Sequence, residues 1–203
     1  MTPLKIGLTG NIGSGKSIVA AILRTLGIPV YDCDSEAKRL MQEDLETRSN
    51  IIDKFGSDCY PDGKNLDRRH LAEIIFNNPA ALQQINSIVH PRVREDFKKW
   101  SIKSGKAIVA VESAILYEAG LEKETDVTIT IYADRATCIS RAMRRNNSTA
   151  QQIESRLQQQ MSAEEQIKKS DYSICNNCDT PLLPQIDKIL KQLDEKKRCR
   201  YVL

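Results

Sequence analysis

Eight residues near the N-terminus have the types and the spacing to hold a polyphosphate. Gly10-Asn11-Ile12-Gly13-Ser14-Gly15-Lys16-Ser17 satisfies G-x-x-x-x-G-K-[ST] at every fixed position. Glycines let the backbone curl until successive N–H groups converge on phosphate oxygens, and a helix opening at Lys16 adds its positive N-terminal end. Lys16 is the mobile charge for the β- and γ-phosphates, and the Ser17 hydroxyl is a ligand for Mg²⁺. The chemistry expected is binding of a nucleoside triphosphate with Mg²⁺ by Asn11 to Ser17, with Ile18 continuing into the helix.

Carboxylates and arginines follow at distances that suit phosphoryl transfer. Asp32 and Asp34 come after a second apolar run, where an α/β sheet presents its ligands. An aspartate there can take the proton of an attacking hydroxyl or help hold hydrated Mg²⁺; it can equally cap a turn. Arg141, Arg144 and Arg145 share one helical face by their spacing of three and four. They can clamp phosphates from a closing lid, or form a solvated basic face. Glu112 and Glu118 flank the end of a third apolar run, placed to face Mg²⁺ or to serve as loop carboxylates. His90, before Pro91 and Arg92, suits a kinked helix as well as it suits a substrate contact. Asp53-Lys54-Phe55-Gly56 matches a GTPase-like D-x-x-G but follows a helical pattern, so it is set aside as coincidence.

The elements that must position these groups alternate in type. Leu4, Ile6 and Leu8 mark a strand; Ile18, Val19, Ile22, Leu23 and Leu26 mark a helix that Gly27 closes; Ile28 to Tyr31 form the next strand. Residues from about 36 to 100 then read as almost wholly helical. Asp67 caps one segment, Asn78-Pro79 starts another, and Pro91 is expected to kink or restart it. Strands return at Ala107 to Val111 and Val127 to Tyr132, apolar throughout as strands covered on both faces should be. Between 134 and 169 the chain is polar, with capping boxes expected at Ser148/Gln151 and Ser162/Glu165. Tyr172 to Cys175 reads as a last strand. Pro184 opens a final helix burying Ile186, Ile189, Leu190 and Leu193, and a frayed basic tail follows.

A chain of 203 residues with 40% hydrophobic and 28% charged content suits one core carrying an inserted subdomain. A net charge of +3 gives no argument for nucleic acid. No apolar run approaches the 18 or so residues of a membrane span and no signal-peptide pattern is present, so a cytoplasmic protein is expected, by default a monomer. Of six cysteines only Cys175 and Cys178 have metal-like spacing. No second pair completes a zinc site, and ordinary reduced thiols are expected.

Taken in order, these residues resemble one family. The phosphate loop, Asp32-x-Asp34, Phe55-Gly56, Leu66-Asp67-Arg68 leading to Leu71 and Phe76, Ile88-Val89-His90-Pro91-x-Val93, Leu116-Tyr117-Glu118, Arg141-x-x-x-Arg145 and Asp171 to Asn176 are similar to the dephospho-CoA kinases, over roughly residues 4 to 195. The departures from that pattern are Asn11, Ile18 and Ala114, where Gly, Thr and Pro are usual.

The resemblance implies a P-loop NTPase three-layer α/β/α fold with a parallel five-stranded sheet, a helical substrate-binding insertion and a small helical lid. Residues 1–35, 101–135 and 170–203 would form the nucleotide core, 36–100 the CoA-binding domain and 136–169 the lid. It implies ATP and Mg²⁺ as cofactors and dephospho-CoA as the small-molecule acceptor, phosphorylated on the ribose 3′-hydroxyl. Asp34 would accept the proton. Lys16, Ser17, Arg141 and Arg145 would serve the phosphates and metal, and Asn176 would lie near the adenine. Asp32, Arg68, His90, Arg92 and Glu118 would line the acceptor side. Kinases of another small alcohol or of nucleoside monophosphates are the nearest alternative. A nucleotide-switch module is the alternative from a different class, disfavoured because no Asn-Lys-x-Asp motif is present.

Overall fold

The computed structural model describes residues 2–76, 78–146 and 149–200, which form two compact units by their contacts. The first comprises residues 1–30 and 106–203, and the second residues 31–105.

The chain carries a five-stranded sheet of order β2-β3-β1-β4-β5, four strands of which lie wholly in the first unit. Its strands are β1 (Leu4–Thr9), β2 (Val30–Asp32), β3 (Ile108–Glu112), β4 (Val127–Tyr132) and β5 (Tyr172–Cys175). β1 pairs in parallel with both β3 and β4, with Leu8 opposite Glu112 and Ile129, and β4 pairs in parallel with β5. β2 is shorter than the expected 28–31 and begins later. The Gly27 turn bonds Ile28 N–H back to the Leu23 carbonyl, while Pro29 offers only its carbonyl, to Ala110 N–H. Helices α1 (Lys16–Thr25) and α9 (Leu182–Arg200) share one core with the sheet. Val19, Ala20 and Leu23 meet Ile6, Leu8, Ile131 and Ile174, and Ile186, Ile189 and Leu193 complete it. Val109 and Val111, fully buried but outside that cluster, show that β3 is covered on its other face too. α9 starts two residues before Pro184 and runs on to Arg200, where a frayed tail was expected.

Residues 134–169 lie within this unit and carry α6 (Arg135–Asn146), α7 (Ala150–Gln158) and α8 (Ala163–Lys169). The Ser162/Glu165 capping box forms as expected. The other box is Thr149/Gln152, one residue later than Ser148/Gln151; Ser148 itself lies outside the described residues. Overlapping S/T-x-x-Q spacings make the two registers equivalent by motif, and the adopted one buries Ile153 completely.

The second unit contains α2 (Cys33–Glu43), α3 (Leu45–Phe55), α4 (Arg68–Phe76) and α5 (Pro79–Lys103). Asp67 caps α4 by accepting from Arg69 and His70 N–H, and Asn78 caps α5 by accepting from Ala81 N–H. The expected break at Pro91 does not occur: α5 is one helix of 25 residues with Pro91 inside it. Ala81, Ile85, Val89, Val93 and Phe97, spaced by four, are all buried and form the helix's core face; α2, α3 and α4 pack against α5. A proline inside a helix costs about 3 kcal/mol. Ile85, Val89, Val93 and Phe97, at about 1.5–3 kcal/mol each, exceed that. Tyr31, Phe97 and Trp100 form an aromatic cluster with centroids 5.3–6.1 Å apart, and Tyr31 Oη donates to Asp96 at 2.8 Å.

Candidate active site

The phosphate loop leaves β1 at Gly10 and enters α1 through Gly15, which has φ 97° and no side chain to cap the helix. No side chain caps the start of α1, and a helix N-terminus is a place that suits an anion. Two glycines are dictated by close approach as well as by φ. A Cβ on Gly13 would lie 2.0 Å from the Cys138 carbonyl oxygen, and one on Gly15 would lie 2.0 Å from Asn176 Nδ2. The loop is thus clasped between α6 and the residues after β5. Lys16 reaches back across it, its Nζ donating to the Gly10 carbonyl at 2.8 Å and the Asn11 carbonyl at 3.3 Å. Ser17 is exposed in the first helical turn, Ile18 is half-exposed, and Ser14 is buried with its Oγ lacking a hydrogen-bond partner.

Asn176 joins three elements. Its N–H bonds the Tyr132 carbonyl at the end of β4, and its side-chain Nδ2 donates to the Ser14 carbonyl at 2.7 Å. Its own carbonyl accepts from Arg141 Nη1 at 2.9 Å. With Asn176 only 6% exposed, its side chain is committed to the loop carbonyl, a role the spacing of the sequence did not indicate. Arg141 is brought to this cluster, whereas Arg144 and Arg145 are exposed on the same helix.

The connection between α7 and α8 lies against the opposite side of the loop. Asn11 Nδ2 donates to the Met161 carbonyl at 3.0 Å and Ile12 N–H donates to Gln160 Oε1 at 3.0 Å. Met161 N–H donates to Glu118 Oε1 at 2.8 Å. Sequence reasoning missed Gln160 and Met161, whose only local signal is their place just before the capping box at Ser162. Glu112 ends β3.

In the second unit Asp32 is the N-cap of α2. Its Oδ1 accepts from Asp34 and Ser35 N–H, and its Oδ2 accepts from Ser35 Oγ at 2.7 Å. Asp34 stands exposed in the first turn, where a carboxylate is favoured by the helix dipole. Arg68 is exposed at the start of α4. Arg92 is paired with Asp44, Glu46 and Glu95 at 3.0, 2.9 and 3.1 Å, and these carboxylates, the bond to Asp44 first, hold its guanidinium charged. Burial raises and the bonds from Thr47 and Arg92 lower the Asp44 carboxyl, and the bonds win. His90 is half-buried on α5; burial, then the Arg94 guanidinium, push its pKa below the ordinary value. Among the described residues no His/Cys/Asp/Glu group is arranged to hold a metal, Cys175 and Cys178 included.

A parallel sheet whose first strand feeds a glycine loop, an uncapped helix and a lysine is the frame of a P-loop kinase, a phosphotransferase. The chain belongs to the dephospho-CoA kinase family: that family's model matches residues 4–181. The chain is 39% identical over 194 residues to a dephospho-CoA kinase of Bacteroides fragilis, spanning 95% of this chain and 94% of that one. A solved dephospho-CoA kinase from Campylobacter jejuni is 27% identical, with a TM-score of 0.68 over 95% of this chain and 98% of its own. Shikimate kinase from Aquifex aeolicus, 20% identical with a TM-score of 0.51 over 96% and 98%, shares the fold.

Proposed function

We propose that the protein transfers the γ-phosphoryl group of ATP to the 3′-hydroxyl of the ribose of dephospho-CoA, giving CoA and ADP. The observation that carries the reading is the phosphate loop of a family member. Its glycines are held by Cys138 and Asn176, its lysine lies across it, and its helix N-terminus has no side-chain cap. In the transfer the ribose oxygen forms a bond to the γ-phosphorus, the bond from the β–γ bridging oxygen breaks, and ADP leaves.

Lys16 and the loop amides hold the β- and γ-phosphates and neutralise charge as it moves to the leaving oxygen. Asp34, exposed at the start of α2, takes the proton of the attacking hydroxyl. Arg141 supports the transferring group, its guanidinium oriented by the Asn176 carbonyl. The exposed hydroxyl of Ser17 is a hard oxygen donor that fits Mg²⁺, an ion bound through few protein ligands with phosphate oxygens and water. Mg²⁺ bound there would neutralise charge on the β- and γ-phosphates. Asp32, Arg68, His90 and Arg92 belong to the acceptor side in this reading; Asp32 and Arg92 do so by shaping α2 and α5, given their commitments to Ser35 and to Asp44. A monomer acting in the cytoplasm completes it.

The test is ADP release with ATP and Mg²⁺, offering dephospho-CoA, nucleoside monophosphates and shikimate in turn. Turnover with dephospho-CoA alone, yielding CoA, is expected. Equal turnover with another acceptor would overturn the substrate assignment, and nucleotide binding without acceptor-dependent turnover would overturn the kinase reading itself.

A further inference from the structure

Four hydrogen bonds gather at Gln160 and Met161, in the four-residue connection between α7 and α8. Asn11 Nδ2 donates to the Met161 carbonyl, Ile12 N–H donates to Gln160 Oε1, Gln160 Nε2 donates to the Ala114 carbonyl at 3.4 Å, and Met161 N–H donates to Glu118 Oε1. Two of the partners are in the phosphate loop and two in the segment after β3. The side chain of Asn11, in a loop position where no side chain is needed to cradle a phosphate, is 8% exposed and turned to this connection. α7 in turn packs on α6, which carries Arg141, with Ile153 fully buried and Arg135 near Glu154.

We propose that Asn11, Gln160 and Glu118 are positioning residues that latch the α7–α8 connection onto the phosphate loop, thereby fixing α6 and Arg141 relative to bound nucleotide. The inference rests on the kinase reading above and moves Glu118 from acceptor recognition to nucleotide-side geometry. Asn11 and Glu118 grip the carbonyl and the N–H of Met161, while the Gln160 side chain reaches out to Ile12 and Ala114, so the bonds on the two adjacent residues support one another. Glu118 acts through an oxygen that accepts from a peptide N–H, a task that does not need its charge. A latch of this kind raises the population of the arrangement that binds nucleotide, and apparent nucleotide affinity scales with that population.

The experiment compares Asn11→Ala, Gln160→Ala, Glu118→Ala and Glu118→Gln in the full chain, each checked for folding by thermal unfolding. Amide exchange at Met161 and KM values for both substrates are the readouts. Glu118→Ala is expected to speed Met161 exchange and raise the KM for ATP by about tenfold, the size of one lost hydrogen bond. The KM for dephospho-CoA should move by less than about twofold, because acceptor binding is not what the latch serves. Glu118→Gln should recover most of the lost protection and affinity, and Asn11→Ala combined with Gln160→Ala should cost less than the two changes summed.

The proposal is overturned if Glu118→Gln is as impaired as Glu118→Ala, if the KM for dephospho-CoA rises instead of that for ATP, or if Met161 exchange stays unchanged. Should Glu118→Ala not fold, the Asn11 and Gln160 variants carry the same comparison. Failure of the substrate assignment is distinguishable: wild-type protein would then show no turnover with dephospho-CoA, while Met161 exchange and calorimetric ATP binding would still report on the latch.

Discussion

The side-chain amide of Asn176 donates to the carbonyl of Ser14, 162 residues earlier in the chain, at 2.7 Å. Through that bond the end of β5 fixes the shape of the phosphate loop, and the Asn176 carbonyl orients Arg141 from its other side. One buried asparagine thus connects the phosphate loop, through its side chain, with Arg141, through its backbone carbonyl.

Asn176→Ala should therefore leave the Ser14 carbonyl buried without a partner, a loss of about 1–3 kcal/mol. Asn176→Asp should be worse, because a carboxylate would face a carbonyl oxygen it cannot bond. Thermal unfolding with and without ATP checks both; an Asp variant as stable as wild type would remove the anchoring role.

Lys16→Ala should weaken nucleotide binding and turnover together. Its Nζ closes the loop over the Gly10 and Asn11 carbonyls, and in the proposed reaction it supplies the charge for the phosphates. Calorimetry with ATP and steady-state kinetics separate the two effects, and a variant with normal activity would contradict the phosphate-loop assignment.

The two aspartates of α2 should respond differently. Asp34→Ala is expected to lower turnover by about 10²-fold or more with ATP binding retained, since general-base help is worth about 10²–10⁴. Asp32→Ala removes an N-cap that holds Asp34 and Ser35 N–H, and should cost about 1 kcal/mol of stability. Equal kinetic defects with no change in stability would show that the division of labour is wrong.

Stability should decline as pH falls below about 6.5, the ordinary value for histidine. Burial, then Arg94, make His90 harder to protonate in the folded state than in the unfolded chain. The unfolded chain then takes a proton that the folded one refuses, which favours unfolding as pH drops through that value. Above it both states are neutral and the contribution vanishes. His90→Gln should flatten this part of the profile, measured by denaturant unfolding between pH 5 and pH 8; an identical slope in the variant would assign the effect elsewhere.

Much of the fold was legible because the signals are local. Alternation in Leu4 to Leu8, the glycine loop, and the caps at Asp67, Asn78 and Ser162 each depend on residues within a few positions. Where local rules gave two answers, as at Pro91 and at Thr149 against Ser148, burial of the apolar face of α5 and of Ile153 decided. The resemblance implies Arg92 on the acceptor side, and no local spacing indicated its ion pairs with Asp44, Glu46 and Glu95.

The amino-acid sequence by itself determined that a phosphate loop stands between a strand and a helix, and the order of elements around it. Those features follow from periodicity, backbone preference and residue type along a short stretch of chain. Only the tertiary structure decided that Asn176 meets Ser14, that Cys138 and Asn176 leave no room for a side chain on Gly13 or Gly15, and that Gln160 meets Ile12. Such pairings join residues more than a hundred positions apart, and their partners are chosen by how the sheet and helices pack.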